Sequence, residues 1–294
     1  MQQKSFPMRA EIFSLFDLMY QEAKEELYRV TLTMPLDIAH KADTTVVTAC
    51  DSAIDECTSG IAALHGFSVL SEEGVQSDEI VCAGTYCAID PIDGTREYIE
   101  SVNDAIADGG VLCFLESPRS KKRNFCFLVG LVENGMPTYG ACYNYVTGEQ
   151  ILIDANAPHL ARLNAPALSR EDMCHNSDPI VYTDPRVFSD PRYGPRLQKI
   201  VQQVPGTRVI AQGSFGLNAV HALLNGHQDA LVFHPVQQSG LWDVLPAAVA
   251  ARAFGGEIFD GQGKPLKLDS YVLVPGLGLY VLKGDKFRFV IDEI

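Results

Sequence analysis

The sequence predicts an α/β protein assembled from two halves, 1–154 and 155–294. Three observations carry this expectation. Helical periodicity gives way to consecutive strand-like runs in the first half, and strand and helix candidates alternate in the second. The chain is also long, with 294 residues and 47% hydrophobic content, enough to bury a large core in one or two domains. No internal repeat or low-complexity tract interrupts the pattern.

The first element is a helix over 10–30, with apolar residues at Phe13, Phe16, Ala23, Leu27 and Val30. Thr48 is a good N-cap for a second helix through Ala49, Ala53, Cys57 and Ile61, which places Asp51 in its first turn. Phe67 to Leu70 reads as a strand ending in Ser71-Glu72-Glu73-Gly74. Tyr86 to Ile89 reads as a short buried strand turned by Pro91 and Gly94, with a helix starting near Gly94 to Arg96. Phe125 to Val132 and Thr138 to Tyr145, joined by Glu133-Asn-Gly135, form an expected hairpin, followed by a turn at Thr147-Gly148 and a strand over 150–153. In the second half, strands are expected over 180–183, 207–211, 230–233 and 257–259, with helices over 192–204, 216–225 and 242–254. Asp243 is placed at the N-cap of the last helix, so that Pro246 falls among N–H groups that lack partners anyway.

Composition excludes several classes of partner. A net charge of −14 argues against nucleic acid or an anionic membrane. An anionic substrate stays open, because bound cations reverse the field locally. No apolar run approaches the roughly 18 residues of a membrane span, and Met1 to Ala10 lacks a signal-peptide core, so a cytoplasmic location is expected. The eight cysteines form no C-x-x-C pair and mostly sit in apolar runs, and the seven histidines show no metal-binding spacing. Any metal is therefore expected on oxygen ligands.

The chemistry concentrates in Cys87-Ala-Ile-Asp-Pro-Ile-Asp-Gly-Thr-Arg96. Asp90 and Asp93 project from a rigid strand end and suit a divalent cation such as magnesium. A helix beginning at Gly94 to Arg96 would direct free N–H groups toward a phosphate. The plainer alternative is a pair of ordinary turns with solvated acids. Glu72, Glu73 and Asp243 are further candidates, each with its own plain reading as charged loop or helix cap. The stretch 100–123 fits neither half: Lys121, Lys122 and Arg123 are expected as a solvated face, or else as a docking surface for phosphate or a partner.

Ser71-Glu-Glu73, Asp90-Pro-Ile-Asp-Gly-Thr95, Gly213-Ser-Phe-Gly216 and Trp242-Asp243 with Gly255-Gly256 occur in this order, preceded by Lys41-Ala-Asp-Thr-Thr-Val-Val-Thr-Ala-Cys-Asp51. Together they resemble the inositol monophosphatase family of lithium-sensitive, magnesium-dependent phosphatases, over about 41–256. The resemblance implies a layered α-β-α-β-α sandwich of the sugar-phosphatase type, with an antiparallel N-terminal sheet, a mixed C-terminal sheet and a homodimeric assembly. It also implies two or three Mg2+ ions. Glu72, Asp90 and the carbonyl of Ile92 would hold the ion that activates water, and Asp90, Asp93 and Asp243 the ion beside the leaving oxygen. Thr95 and Asp51 match the family's hydroxyl and carboxylate pair near that water. Gly94 and Thr95 amides would cradle phosphate, with Asp93, Gly216, Asn218 and His234 as substrate contacts. Glu73 would support the site from outside, and Trp242 would pack.

Two details are similar to the 3'(2'),5'-bisphosphate nucleotidase branch: the 41–51 element, although Thr45-Val46 replaces Ser-Pro, and Thr95-Arg-Glu-Tyr-Ile99. Between Phe233 and Trp242 no acid stands where inositol monophosphatases carry an inositol-binding glutamate. The expected substrate is a small phosphorylated metabolite, with a bisphosphate nucleotide ahead of inositol 1-phosphate or histidinol phosphate. His234 either donates to a second phosphate when protonated or packs at a strand end. A binding or regulatory protein on the same fold is the alternative from another class, and absence of turnover would distinguish it.

Overall fold

A computed structural model describes residues 9–33, 38–40, 46–74, 76–108, 123–156, 159–164, 178–234, 239–273 and 278–293. Lys41 to Thr45, Lys121 and Lys122 lie outside the described residues. The first half contains α1 (Arg9–Thr33), β1 (Ile38–His40), β2 (Val46–Thr48), α2 (Ala49–Leu64), β3 (Val69–Ser71), α3 (Asp78–Ala83) and β4 (Tyr86–Asp93). It continues with α4 (Thr95–Ala107), β5 (Cys126–Glu133), β6 (Met136–Asn144), β7 (Gln150–Asp154) and β8 (His159–Leu163). Then follow β9 (Ile180–Thr183), a 3-10 turn (Pro185–Phe188), α5 (Gly194–Gln203), β10 (Arg208–Ala211), α6 (Phe215–Leu224), β11 (Ala230–His234) and β12 (Ser239–Gly240). The chain closes with α7 (Leu241–Phe254), β13 (Glu257–Phe259), β14 (Val272–Leu273), β15 (Leu279–Lys283) and α8 (Arg288–Asp292).

Alternation along the strands sorts the side chains into layers. In the first sheet, ordered β3-β4-β5-β6-β7-β8, Cys87, Ile89, Phe127, Val129, Ala141 and Tyr143 pack with α1, α2 and α4. Their neighbours Tyr86, Ala88, Cys126, Leu128 and Cys142 face the opposite way, into a core shared with α6, α7 and one face of the second sheet. That sheet, ordered β10-β9-β11-β15-β13, turns Val181, Leu231, Phe233, Tyr280 and Leu282 toward α5 and α8. The result is the expected α-β-α-β-α sandwich. α7 is apolar nearly all round because it lies between two sheets. It sits close on the first one: a Cβ at Gly130 would stand 2.6 Å from Leu245 Cγ, and one at Gly140 3.0 Å from Pro246 Cα.

Four details differ from the sequence expectation. β3 runs parallel to β4, so the first sheet is mixed, and only from β4 onward are its pairings antiparallel. The sheet also extends past residue 154, since β8 pairs with β7 and ends at Leu163. Asp243 is not the N-cap of α7; Gly240 is, and Asp243 reaches back from the third helical position. Pro246 consequently lies inside the helix, where its ring leaves the Trp242 carbonyl without the usual N–H partner. Among the described residues no helix is long and apolar enough to cross a membrane. The described cysteines are free, and Cys50, Cys87, Cys126 and Cys142 are buried.

Candidate active site

The site is built from helix caps and one strand end. Thr48 caps α2, and its backbone N–H and Oγ1 both donate to Asp51 Oδ2, at 2.8 and 2.6 Å. This commits one oxygen of a buried carboxylate to the cap and leaves Oδ1 to meet Thr95 Oγ1 at 3.0 Å. Thr95 Oγ1 also lies 3.0 Å from the Ile92 carbonyl, so its single proton chooses between two acceptors. Burial raises the Asp51 pKa to about 7, against the pull of Thr48, with Glu72 and Glu73 adding to the rise.

At the end of β4 the chain turns at Gly94, whose φ of +98° suits glycine and whose Cβ would stand 3.2 Å from the Asn124 carbonyl. Gly94 is the N-cap of α4 and supplies no side chain to its first N–H groups. Beside this helix start, Glu72, Asp90 and Asp243 each offer an oxygen, all within 4.8 Å of one another. The Ile92 N–H holds Asp90 Oδ1 at 2.9 Å. Ser239 Oγ and the Gly240 N–H donate to Asp243 Oδ2, at 2.5 and 2.8 Å. Burial drives the Asp90 pKa well up, helped by Glu72, Asp93 and Asp243, and raises Asp243 to about 6. Carboxylates so crowded repel one another when charged, and a hard divalent cation relieves that repulsion. The all-oxygen donor set fits magnesium.

Asp93 is held differently from this trio. Ser214 Oγ and the Gly216 N–H donate to its Oδ2, both at 2.6 Å, and the Phe215 N–H donates to Oδ1 at 3.1 Å. The first turn of α6, from the second half, thus orients a carboxylate of the first. Burial raises Asp93 to about 6 against the pull of these three donors. A Cβ on Gly216 would stand 3.0 Å from Asp93 Oδ2, so glycine permits the approach.

The structure therefore brings together Asp51, Glu72, Asp90, Ile92, Asp93, Gly94, Thr95, Gly216 and Asp243, and gives two expected substrate contacts partners within the protein. Asn218 is fully buried, its amide donating to the Gln212 carbonyl at 3.1 Å, which braces the turn into α6. His234 packs its ring 4.9 Å from Phe215, and burial lowers its pKa to about 4. Protonation is thus pushed well below the pH at which a free histidine gains its charge, and the ring packs at the end of β11, the other reading offered for it. Trp242 is buried, folded against its own Gly240. Arg123 is no solvated face: Glu97 and Asp104 bind it at 3.4 and 3.2 Å, together with Glu100. Sequence reasoning missed Ser214 and Ser239 as partners of Asp93 and Asp243. Ser214 lay in view within Gly213-Ser-Phe-Gly216, but Ser239 carried no such signal.

Comparison with known proteins bears out the fold and the family. Residues 12–282 match the model of the inositol monophosphatase family. Over 239 residues the chain is 26% identical to the 3'(2'),5'-bisphosphate nucleotidase CysQ of Escherichia coli strain K12, covering 80% of this chain and 84% of that protein. A crystal structure of CysQ from Bacteroides thetaiotaomicron superposes with a TM-score of 0.62 at 18% identity, over 90% of this chain and 93% of that one. An IMPase/NADP phosphatase complexed with Mg2+ and phosphate superposes at 0.67 with 13% identity, over 97% and 94%. The fold and the matched relatives define a phosphatase of the layered α/β type. The chain belongs to the inositol monophosphatase family.

Proposed function

We propose that this phosphatase is a magnesium-dependent phosphomonoesterase acting on a small phosphorylated metabolite, with a 3'(2'),5'-bisphosphate nucleotide as preferred substrate. The observation that carries the reading is the convergence of Glu72, Asp90 and Asp243 beside the uncapped start of α4 and the Thr95–Asp51 pair. Glu72, Asp90, the Ile92 carbonyl, Asp93 and Asp243 would hold magnesium. When bound, the metal neutralises phosphate charge and acidifies water. The amides at Gly94 and Thr95 orient the phosphate by the helix-terminus effect. Thr95 accepts a hydrogen bond from the attacking water while its own proton points to Asp51 Oδ1. Asp51, with its second oxygen held by Thr48 and its pKa raised to about 7, is suited to take up a proton near neutral pH.

The nucleotide preference draws support from the likeness to CysQ and from the absence of an acid between Phe233 and Trp242. Inositol 1-phosphate is the second reading, favoured by the shared fold alone. A phosphate-release panel with magnesium tests both. A kcat/KM at least tenfold higher for adenosine 3',5'-bisphosphate than for inositol 1-phosphate is expected, equivalent to about 1.4 kcal/mol of transition-state binding. The reverse preference would return the chain to the inositol branch, and no turnover of any phosphate would leave a binding protein.

Metal substitution gives a second expected result in the same assay. Lithium at millimolar excess is expected to inhibit, and calcium to support little activity, because calcium prefers longer bonds and more ligands than magnesium's octahedron at about 2.1 Å. Undiminished turnover under lithium, or calcium rates equal to those with magnesium, would remove the proposed metal chemistry.

A further inference from the structure

A cavity of about 280 Å3 opens between α4 and the loop into α6, lined by Glu97, Asp104, Arg123, Pro185, Gln212 and Gly213. It is joined to the site along the chain. Gly213 precedes Ser214, which binds Asp93, and Glu97 follows Thr95 by two residues. A Cβ on Gly213 would stand 2.2 Å from Glu97 Cγ, so glycine keeps this loop against α4.

A chain of amides ends at this cavity. The Val146 and Thr147 N–H groups donate to Asn144 Oδ1 at 2.9 and 3.0 Å. Backbone N–H groups only donate, so the atom they meet is the amide oxygen, and Asn144 Nδ2 must then donate onward. It donates to Asn124 Oδ1 at 2.8 Å, and Asn124 Nδ2 donates to Gln212 Oε1 at 3.1 Å. Each orientation is forced by the one before. The chain leaves Gln212 Nε2 as a buried donor with no hydrogen-bond partner among the described residues. A buried amide donor left unsatisfied is costly, which calls for an acceptor on whatever fills the cavity.

The charges of the lining narrow the chemistry. Arg123, the cation of the lining, is bound by Glu97 and Asp104, which also line the cavity, and by Glu100. The lining therefore offers carboxylate acceptors and one amide donor, and disfavours a second phosphate. An occupant needs an acceptor beside a donor on one edge and no negative charge. An aminopurine presents that edge, a ring nitrogen next to an exocyclic amine, and an amide N–H can donate to that nitrogen while a carboxylate accepts from the amine. A cavity just below the roughly 300–1,000 Å3 of drug-sized sites suits one bicyclic ring.

We propose that this cavity receives the base of the leaving group, its second phosphate staying outside, and that Gln212 Nε2 donates to a ring nitrogen of an aminopurine whose amine is accepted by Glu97 or Asp104. The proposal rests on the nucleotide-phosphatase reading above and assigns the base to these residues. The test compares kcat/KM for adenosine 3',5'-bisphosphate and p-nitrophenyl phosphate, which has no purine, using the full chain with magnesium. Gln212→Glu keeps the oxygen that Asn124 binds and turns the spare donor into an acceptor. Its kcat/KM is expected to fall at least tenfold more for the nucleotide than for p-nitrophenyl phosphate, chiefly through KM. Gln212→Met, which removes the donor without adding charge, is expected to shift the ratio in the same direction. Equal falls on both substrates, or a parental ratio in either variant, would overturn the subsite. Should the parent hydrolyse neither compound, the phosphatase reading fails, and calorimetric titration with adenosine decides the cavity by itself. Binding weakened at least tenfold in Gln212→Glu would sustain the subsite; unchanged or undetectable parental binding would overturn it.

Discussion

Asp90→Asn is expected to lower magnesium-dependent kcat/KM by roughly a thousandfold or more, three factors of ten or about 4 kcal/mol of barrier. Asp90 is 1% exposed and one of three carboxylates within 4.8 Å of one another. An asparagine keeps the oxygen that accepts from the Ile92 N–H, so the turn survives while a charge for the metal is lost. Removing one of several mutually repelling acids relieves strain in the metal-free protein. Its melting temperature in chelator should therefore equal or exceed the parent's, while the upward shift on adding magnesium shrinks. Parental turnover in the variant would remove Asp90 from the chemistry. A collapse of Tm in chelator would show that its role is structural.

The second large effect is on stability, far from this cluster. Glu149, 1% exposed and just before β7, receives Arg162 Nε of β8 at 2.5 Å and lies 3.2 Å from His221 Nε2 on α6. Arg162 also donates to Asn225 Oδ1 at 2.8 Å, so this network ties the first sheet to the helix whose start holds Asp93. Glu149→Gln keeps the shape but removes the charge, leaving a half-buried guanidinium without its counter-ion. Breaking a buried pair from one side costs about 3–5 kcal/mol. The measurement is denaturant unfolding at constant m-value, and a loss under about 1 kcal/mol would mean that water already compensates the pair. The sign with pH follows. Burial opposes the charged form, but His221 and Arg162 hold the Glu149 pKa below its usual value. Its contribution is thus full above the ordinary carboxylate range and fades as pH falls through the lowered pKa.

Much of the frame was legible because its signals are local. The cap at Thr48 needs only Asp51 three residues on, and the β4 turn needs only Pro91, Gly94 and the acids between them. Hairpin and helix spacing likewise repeat within a few residues, so the strands and helices that were expected lie within a few positions of the observed ones, whereas β15, inside the second sheet, was not expected. The N-cap assignment of Asp243 failed for a local reason too: Gly240 caps without a side chain, and the capping acid stands three residues later. The shift moved Pro246 from the free first turn into the helix interior.

By itself, the sequence determined which residues are chemically competent and where the chain turns, since both are properties of contiguous residues. Only the tertiary structure decided what those residues meet. Asp93 is oriented by Ser214, 121 positions away, and the spare donor of Gln212 depends on Asn124, 88 positions away. Arg123, which reads as a surface charge, is captured by a helix face that α4 presents to it. His234 protonates only at a much lower pH than a free histidine, because enclosure beside Phe215 makes the charge costly. Burial and long-range pairing set these outcomes, and neither is encoded within any one stretch of chain: the energy of a charge or a donor depends on its surroundings, which exist only once the layers have packed.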